Sequence, residues 1–164
     1  MTTSLPLVAH EQHEILLHTV DTLPAFGDAL VTASTAEIRP RVEEIDSFLS
    51  DILVPHMEAA ERTLYPELER MLQNRHSMTP MRKEHDEIRA LVAGLHRLGS
   101  SLDEPRPSLA RTLALRRVVF RLYALLKVHL VEEELYVRVV NKGVTADVAE
   151  LLAAGIAHPL SSAH

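Results

Sequence analysis

The chain has no cysteine and no tryptophan among its 164 residues. Without a thiol there can be no disulfide, no thiolate metal site and no cysteine nucleophile. Glycine occurs only five times, no Asn-Gly pair marks a hairpin, and β-branched alternation is scarce, so strands are not expected. No apolar run approaches the ~20 residues of a membrane span. The opening MTTSLPLVAHEQHE has neither the basic start nor the apolar stretch of a signal peptide. The net charge of −6 argues against a general nucleic-acid binder. The basic residues Arg111, Arg116, Arg117 and Arg121 flank an apolar helical stripe and read as a solvated face. The expectation is a cytoplasmic protein with neither a membrane nor a nucleic acid as partner.

What is present is apolar content and histidine. At 46% hydrophobic the chain can bury a core without covalent staples. It reads as one domain over residues 1–164, with a bundle core at about 5–142 and a tail at 143–164. Four long segments carry helical spacing. The first runs from about Pro6 to Val31, with a kink expected at Pro24. The second runs from about Ala36 to Leu72 on the stripe Ile38, Val42, Ile45, Leu49, Ile52, His56, Ala60, Thr63, with Pro55 and Pro66 marking bends. The third opens on Thr79 as a capping hydroxyl ahead of Pro80 and stops at Gly99. Ser108 caps the fourth, whose stripe is Leu115, Val118, Leu122, Leu125, His129, Glu133, Tyr136, Val140, and Asn-Lys-Gly at 141–143 ends it. A short helix is expected at 146–154. The fold class is therefore all-α: an up-and-down four-helix bundle with a short C-terminal extra helix.

There are ten histidines, and each long helix places one on its buried-looking stripe: His13, His56, His85 and His129. Four imidazoles in one core carry up to eight ring nitrogens, and each buried polar group left unpaired costs ~1–3 kcal/mol. A shared metal centre takes one nitrogen from each ring and removes that cost. In VHLVEEEL, His129 and Glu133 lie at i and i+4, one above the other on a helix face. Glu133 falls on the stripe and can project between two ions. Glu132 and Glu134 read as a solvated acidic patch. A histidine and carboxylate shell without cysteine favours iron or manganese over structural zinc.

The motifs AHEQHEILL, PHMEAAERTLYPEL, MRKEHDEI and VHLVEEELY, in this order over roughly residues 5–140, resemble those of hemerythrin-like proteins of the HHE cation-binding family. The resemblance implies a non-haem di-iron centre, oxo- or hydroxo-bridged, with manganese as the alternative metal. Carried over, it implies His13, His56, His85, His129 and Glu133 as ligands. His13 is preferred to His10 because its apolar followers Leu16 and Val20 match Ile88 and Val92 after His85; His10 is held in reserve. The family's second helix has glutamate four residues after its histidine, where this chain has Ala60. Glu61, one further on, points about 140° away from His56 on an ideal helix. It ligates only if the helix is distorted, and Glu58, Tyr65 and Tyr136 are the other candidates for the missing oxygen. Arg89 stands where oxygen carriers have a second histidine. Small ligands are implied (dioxygen, peroxide or nitric oxide), with sensing or peroxide breakdown, including catalase-like activity, as the expected role. A non-enzymatic iron or oxygen sensor and a scaffold with a degraded single-metal site are the alternatives. His18, His76, His96, His158 and His164 are expected to face solvent.

Overall fold

The computed structural model of the protein describes residues 5–142, with side chains over 13–138 and at 140. The helix expected at 146–154, with His158 and His164, lies outside the described residues, as does the side chain of His10. Helices account for the architecture: α1 (Leu5–Val20), α2 (Leu23–Ala29), α3 (Thr35–Phe48), α4 (Val54–Arg62), α5 (Leu64–Met71), α6 (Thr79–Ser100) and α7 (Leu109–Lys142). No strand occurs among the described residues, and none of the helices there is long and apolar enough to cross a membrane.

Cross-helix pairs define the topology. His13 meets Glu133 while Asp21 meets Lys127, so α1 runs antiparallel to α7. Gly94 faces Val118 and His85 faces His129, which makes α6 antiparallel to α7. Asp46 meets His96 and Glu61 meets His85, so the α3–α4 arm runs antiparallel to α6. His13 beside His56 and Thr22 bonded to Arg41 close the ring. The result is an up-and-down four-helix bundle, as the four periodic segments imply.

All four arms depart in detail from the sequence expectation; in the last, Val119, Leu126 and Val137 are the buried residues, with Val118, Leu125 and Tyr136 half-buried beside them. The first does not continue through a kink to Val31. It ends at Val20 and restarts at Leu23, with Pro24 in the first turn of α2, where a missing N–H leaves no bond unmade. The second arm is in three pieces. Pro55 has no N–H for the carbonyl of Asp51, and the chain widens into a π-helical turn over Leu49–Leu53. That turn shifts the buried face by one residue: Leu53 and Met57 are buried, whereas Ile52, expected on the stripe, is 45% exposed. Pro66 would clash with the carbonyl of Arg62, and the helix breaks at Thr63 (φ −122°, ψ −54°) before α5 begins. In the third arm, Thr79 is already helical and Met78 takes the capping position.

The helix also continues through Gly99 to Ser100, so that glycine is not a stop. A Cβ at position 99 would lie 2.5 Å from Val42 Cγ1, so glycine is there for close approach of α6 to α3. At the end of α5, Gln73 takes the left-handed conformation (φ 50°). The amides of Gln73 and Asn74 then bond back to the carbonyls of Arg70 and Glu69, turning the chain toward α6.

Two hydrophobic clusters result. The larger joins Leu16, Leu53, Ile88 and Leu126 to the core of α3, α6 and α7. The smaller holds Ala60, Tyr65, Leu68, Met78 and Met81. The four buried residues Leu16, Leu53, Ile88 and Leu126 each stand one helical turn from a stripe histidine, on the side of the larger cluster. Polar side chains between the two clusters are therefore closed off from below by a layer of aliphatic groups.

Candidate metal centre

The layer between the clusters is where the four helices deliver their histidines. His85, His129 and Glu133 are fully buried, and His13 is 2% exposed. The Glu133 carboxylate is the hub. Its Oε2 lies 3.1 Å from His13 Nε2 and 2.8 Å from His56 Nε2. Its Oε1 accepts a hydrogen bond of 2.9 Å from the Tyr65 hydroxyl. That hydroxyl is 3.0 Å from His85 Nε2, which in turn lies 3.0 Å from His129 Nε2. Two donor sets follow, His13–His56–Glu133 and His85–His129–Glu133, each with its donor atoms within 4.8 Å of one another.

The outward ring nitrogens are also engaged. His13 Nδ1 is 3.0 Å from Glu134 Oε2, His85 Nδ1 is 2.6 Å from Glu61 Oε1, and His129 Nδ1 is 2.9 Å from Glu84 Oε2. An ionised carboxylate cannot donate, so His85 and His129 carry the hydrogen on Nδ1 and point a lone pair inward from Nε2, whereas His13, held between Glu134 and Glu133, donates to both carboxylates in its charged form. The centre is then rich in acceptors. On the His85–His129 side two imidazole lone pairs and Glu133 Oε1 face a single O–H, that of Tyr65, which reaches Glu133 Oε1 and His85 Nε2. Two Nε2 lone pairs 3.0 Å apart repel unless a cation, a proton or a metal ion, sits against them. The spacing also suits a metal: bonds of about 2.1 Å meeting at right angles put adjacent ligands about 3.0 Å apart.

Local electrostatics agree with that demand. Burial alone would raise the Glu133 carboxyl, but the hydrogen bonds from His13 and His56 outweigh it and hold the group well below the carboxylate range. For His13, burial opposes charging, yet the facing Glu133 and Glu134 win and its pKa rises. His85 shifts down, chiefly through burial. Burial, then the charge of Glu133, pushes the Tyr65 hydroxyl far above the ordinary phenol range, so it keeps its proton in the metal-free protein. Glu61 would be raised by burial but is lowered by its bonds to His85 and Arg89.

Of the residues singled out from the sequence, the structure brings together His13, His56, His85, His129, Glu133 and Tyr65. Glu61 meets the outer face of His85, away from Glu133, and is shared with Arg89 Nη2 at 2.9 Å. Glu58 is exposed. Tyr136 is half-buried against the smaller cluster. Glu134, expected in a solvated patch, is instead on His13 with its side chain only 19% exposed. Glu84 was not anticipated at all. The available signal was its place beside a buried histidine in KEHDEI. His18, His76 and His96 are exposed, as expected, and His96 pairs with Asp46.

Tyr65 reaches the centre through the break at Thr63. On an unbroken helix it would lie nine residues from His56, half a circle away. The interruption rephases α5 and turns Tyr65 inward, where its ring stacks on His85 with centroids 5.4 Å apart. It thus occupies space next to Ala60, where the motif comparison leaves an oxygen missing.

The family model described as the Hemerythrin HHE cation binding domain matches residues 8–140 of this chain. Comparison with curated proteins gives no match, and neither does comparison with solved structures.

Proposed function

The chain belongs to the hemerythrin HHE cation-binding family, and from that premise we propose that it holds two iron ions and uses them on dioxygen, peroxide or nitric oxide, with peroxide breakdown as its foremost activity. The observation that carries the two-ion reading is the division of Glu133. One oxygen faces the His13–His56 pair, while the other is on the His85–His129 side through Tyr65. A carboxylate so placed can bridge two cations and offset their mutual repulsion. His13 and His56 would hold one ion, and His85 and His129 the other. Tyr65 is positioned to supply an oxygen to the second.

When bound, an iron pair supplies redox steps and open positions for a small ligand. The chain's own part is different. Glu61, Glu84 and Glu134 keep hydrogens on the Nδ1 atoms, so that Nε2 is the nitrogen turned inward. Tyr65 holds a proton on its hydroxyl beside Glu133 Oε1, ready to be kept or given up as the charge at the centre changes. The aliphatic layer of Leu16, Leu53, Ile88 and Leu126 limits water on one side.

The test is oxygen evolution from hydrogen peroxide by protein loaded with ferrous iron. Turnover that scales with bound iron up to two ions per chain supports the reading. Iron-loaded protein that leaves peroxide untouched removes the catalytic role and leaves a binder of dioxygen or nitric oxide. That alternative is then read from changes in the visible spectrum on adding each gas.

A further inference from the structure

Resting on the two-ion reading, we propose that Glu61, Glu84 and Glu134 are positioning residues that make His85, His129 and His13 into ion ligands without touching an ion themselves. The three contacts share one form. In each, a carboxylate from another helix lies 2.6–3.0 Å from Nδ1 of a site histidine, while Nε2 of that ring faces the centre. A neutral imidazole has two tautomers and can flip about χ2, so an unheld ring presents the wrong nitrogen part of the time. A fixed carboxylate selects the tautomer, sets the ring plane and raises the basicity of the ligating nitrogen. Two of the three carboxylates are themselves anchored: Arg89 donates to Glu61 at 2.9 Å, and Arg138 donates to Glu134 at 3.2 Å.

Glu61 is the sharpest case. It occupies the stretch of α4 where a second carboxylate ligand is expected, one residue beyond Ala60, yet its Oε1 is on Nδ1 of His85 and on Arg89. Arg89 stands where the oxygen carriers that the chain resembles have a second histidine. The two departures from the expected ligand set thus contact one another, and together they form an Arg89–Glu61–His85 relay. At both positions the side chain present supports a ligand, Glu61 directly and Arg89 through Glu61.

The experiment is anaerobic titration of the full chain with ferrous iron against a competing chelator, for wild type, Glu61→Ala, Glu61→Gln, Glu84→Ala and the exposed control Glu58→Gln. Circular dichroism of each metal-free variant checks that it folds. The expected result for Glu61→Ala and Glu84→Ala is two ions still bound at saturation, with affinity for one of them lowered about 10–100-fold. Glu61→Gln, which keeps an oxygen to accept the Nδ1 hydrogen, should recover much of that loss, and Glu58→Gln should match wild type. Loss of one ion at saturating iron in Glu61→Ala would make Glu61 a ligand and overturn the proposal. So would unchanged affinity in both alanine variants. A wild-type chain that takes up fewer than two ions overturns the two-ion reading, and this inference with it.

Discussion

Replacing Tyr65 with phenylalanine removes one oxygen from between Glu133 and His85 and leaves everything else in place. The ring is fully buried and stacks on His85, so Tyr65→Phe creates no cavity. The loss is confined to the O–H. In the metal-free protein that group donates to the charged Glu133 at 2.9 Å and stands 3.0 Å from His85 Nε2. A hydrogen bond to a charged group contributes about 1.5–3 kcal/mol, and the phenylalanine ring offers Glu133 Oε1 no donor in its place. For a chain of this size 1 kcal/mol moves the melting temperature by roughly 2–4 °C. The metal-free variant should therefore melt roughly 3–12 °C lower, with an unchanged urea m-value. The assay is thermal and urea unfolding in the presence of a chelator, with Tyr136→Phe as the control outside the centre. A metal-free Tyr65→Phe protein as stable as wild type, or more stable, would refute the reasoning. It would mean that an isosteric apolar ring serves the site as well as the hydroxyl, and that Glu133 does not depend on the donor.

Other perturbations test the frame around the site. Gly99→Ala gains up to ~1 kcal/mol of helix propensity but drives a methyl to 2.5 Å from the stiff Val42 side chain. With overpacking at about 1–3 kcal/mol the net effect should be destabilising, and Val42→Ala in the same chain should relieve it, as a double-mutant cycle by urea unfolding would read. Gln73→Gly should raise the melting temperature by roughly 1–4 °C, because a left-handed residue with a side chain gives way to one without that strain. The Ser34 amide and hydroxyl both donate to Glu37 at the start of α3, and these bonds lower the Glu37 pKa. A depressed carboxyl stabilises above its unfolded pKa and loses that contribution as pH falls through its folded value. Ser34→Ala should therefore lower the melting temperature of the metal-free protein at pH 7 and have a smaller effect at pH 3.

Periodicity made the bundle legible, because buried residues repeat every three or four positions wherever the helices are unbroken. The same stripes carry His13, His56, His85, His129 and Glu133, and the structure brings those five together. Prolines blurred the rest. A stripe drawn through Ile52 and Thr63 assumes a continuous helix, whereas the π-helical turn before Pro55 and the break before Pro66 each rotate the buried face. The second rotation turns Tyr65 inward, and no spacing rule from His56 would place it there. Glu134 and Glu84 were hidden for another reason. Their partners belong to helices far away in sequence, so a solvated acidic patch and a ring of histidine supports look identical along a single chain.

The most direct test of the central claim is the metal content of the full chain, purified without chelators and then reconstituted with ferrous iron, set against Glu133→Ala. Two ions per wild-type chain are expected. Glu133→Ala should fail to hold the pair, because both donor sets share that carboxylate. One ion per chain, none, or a Glu133→Ala protein that still takes up two would contradict a centre built around Glu133.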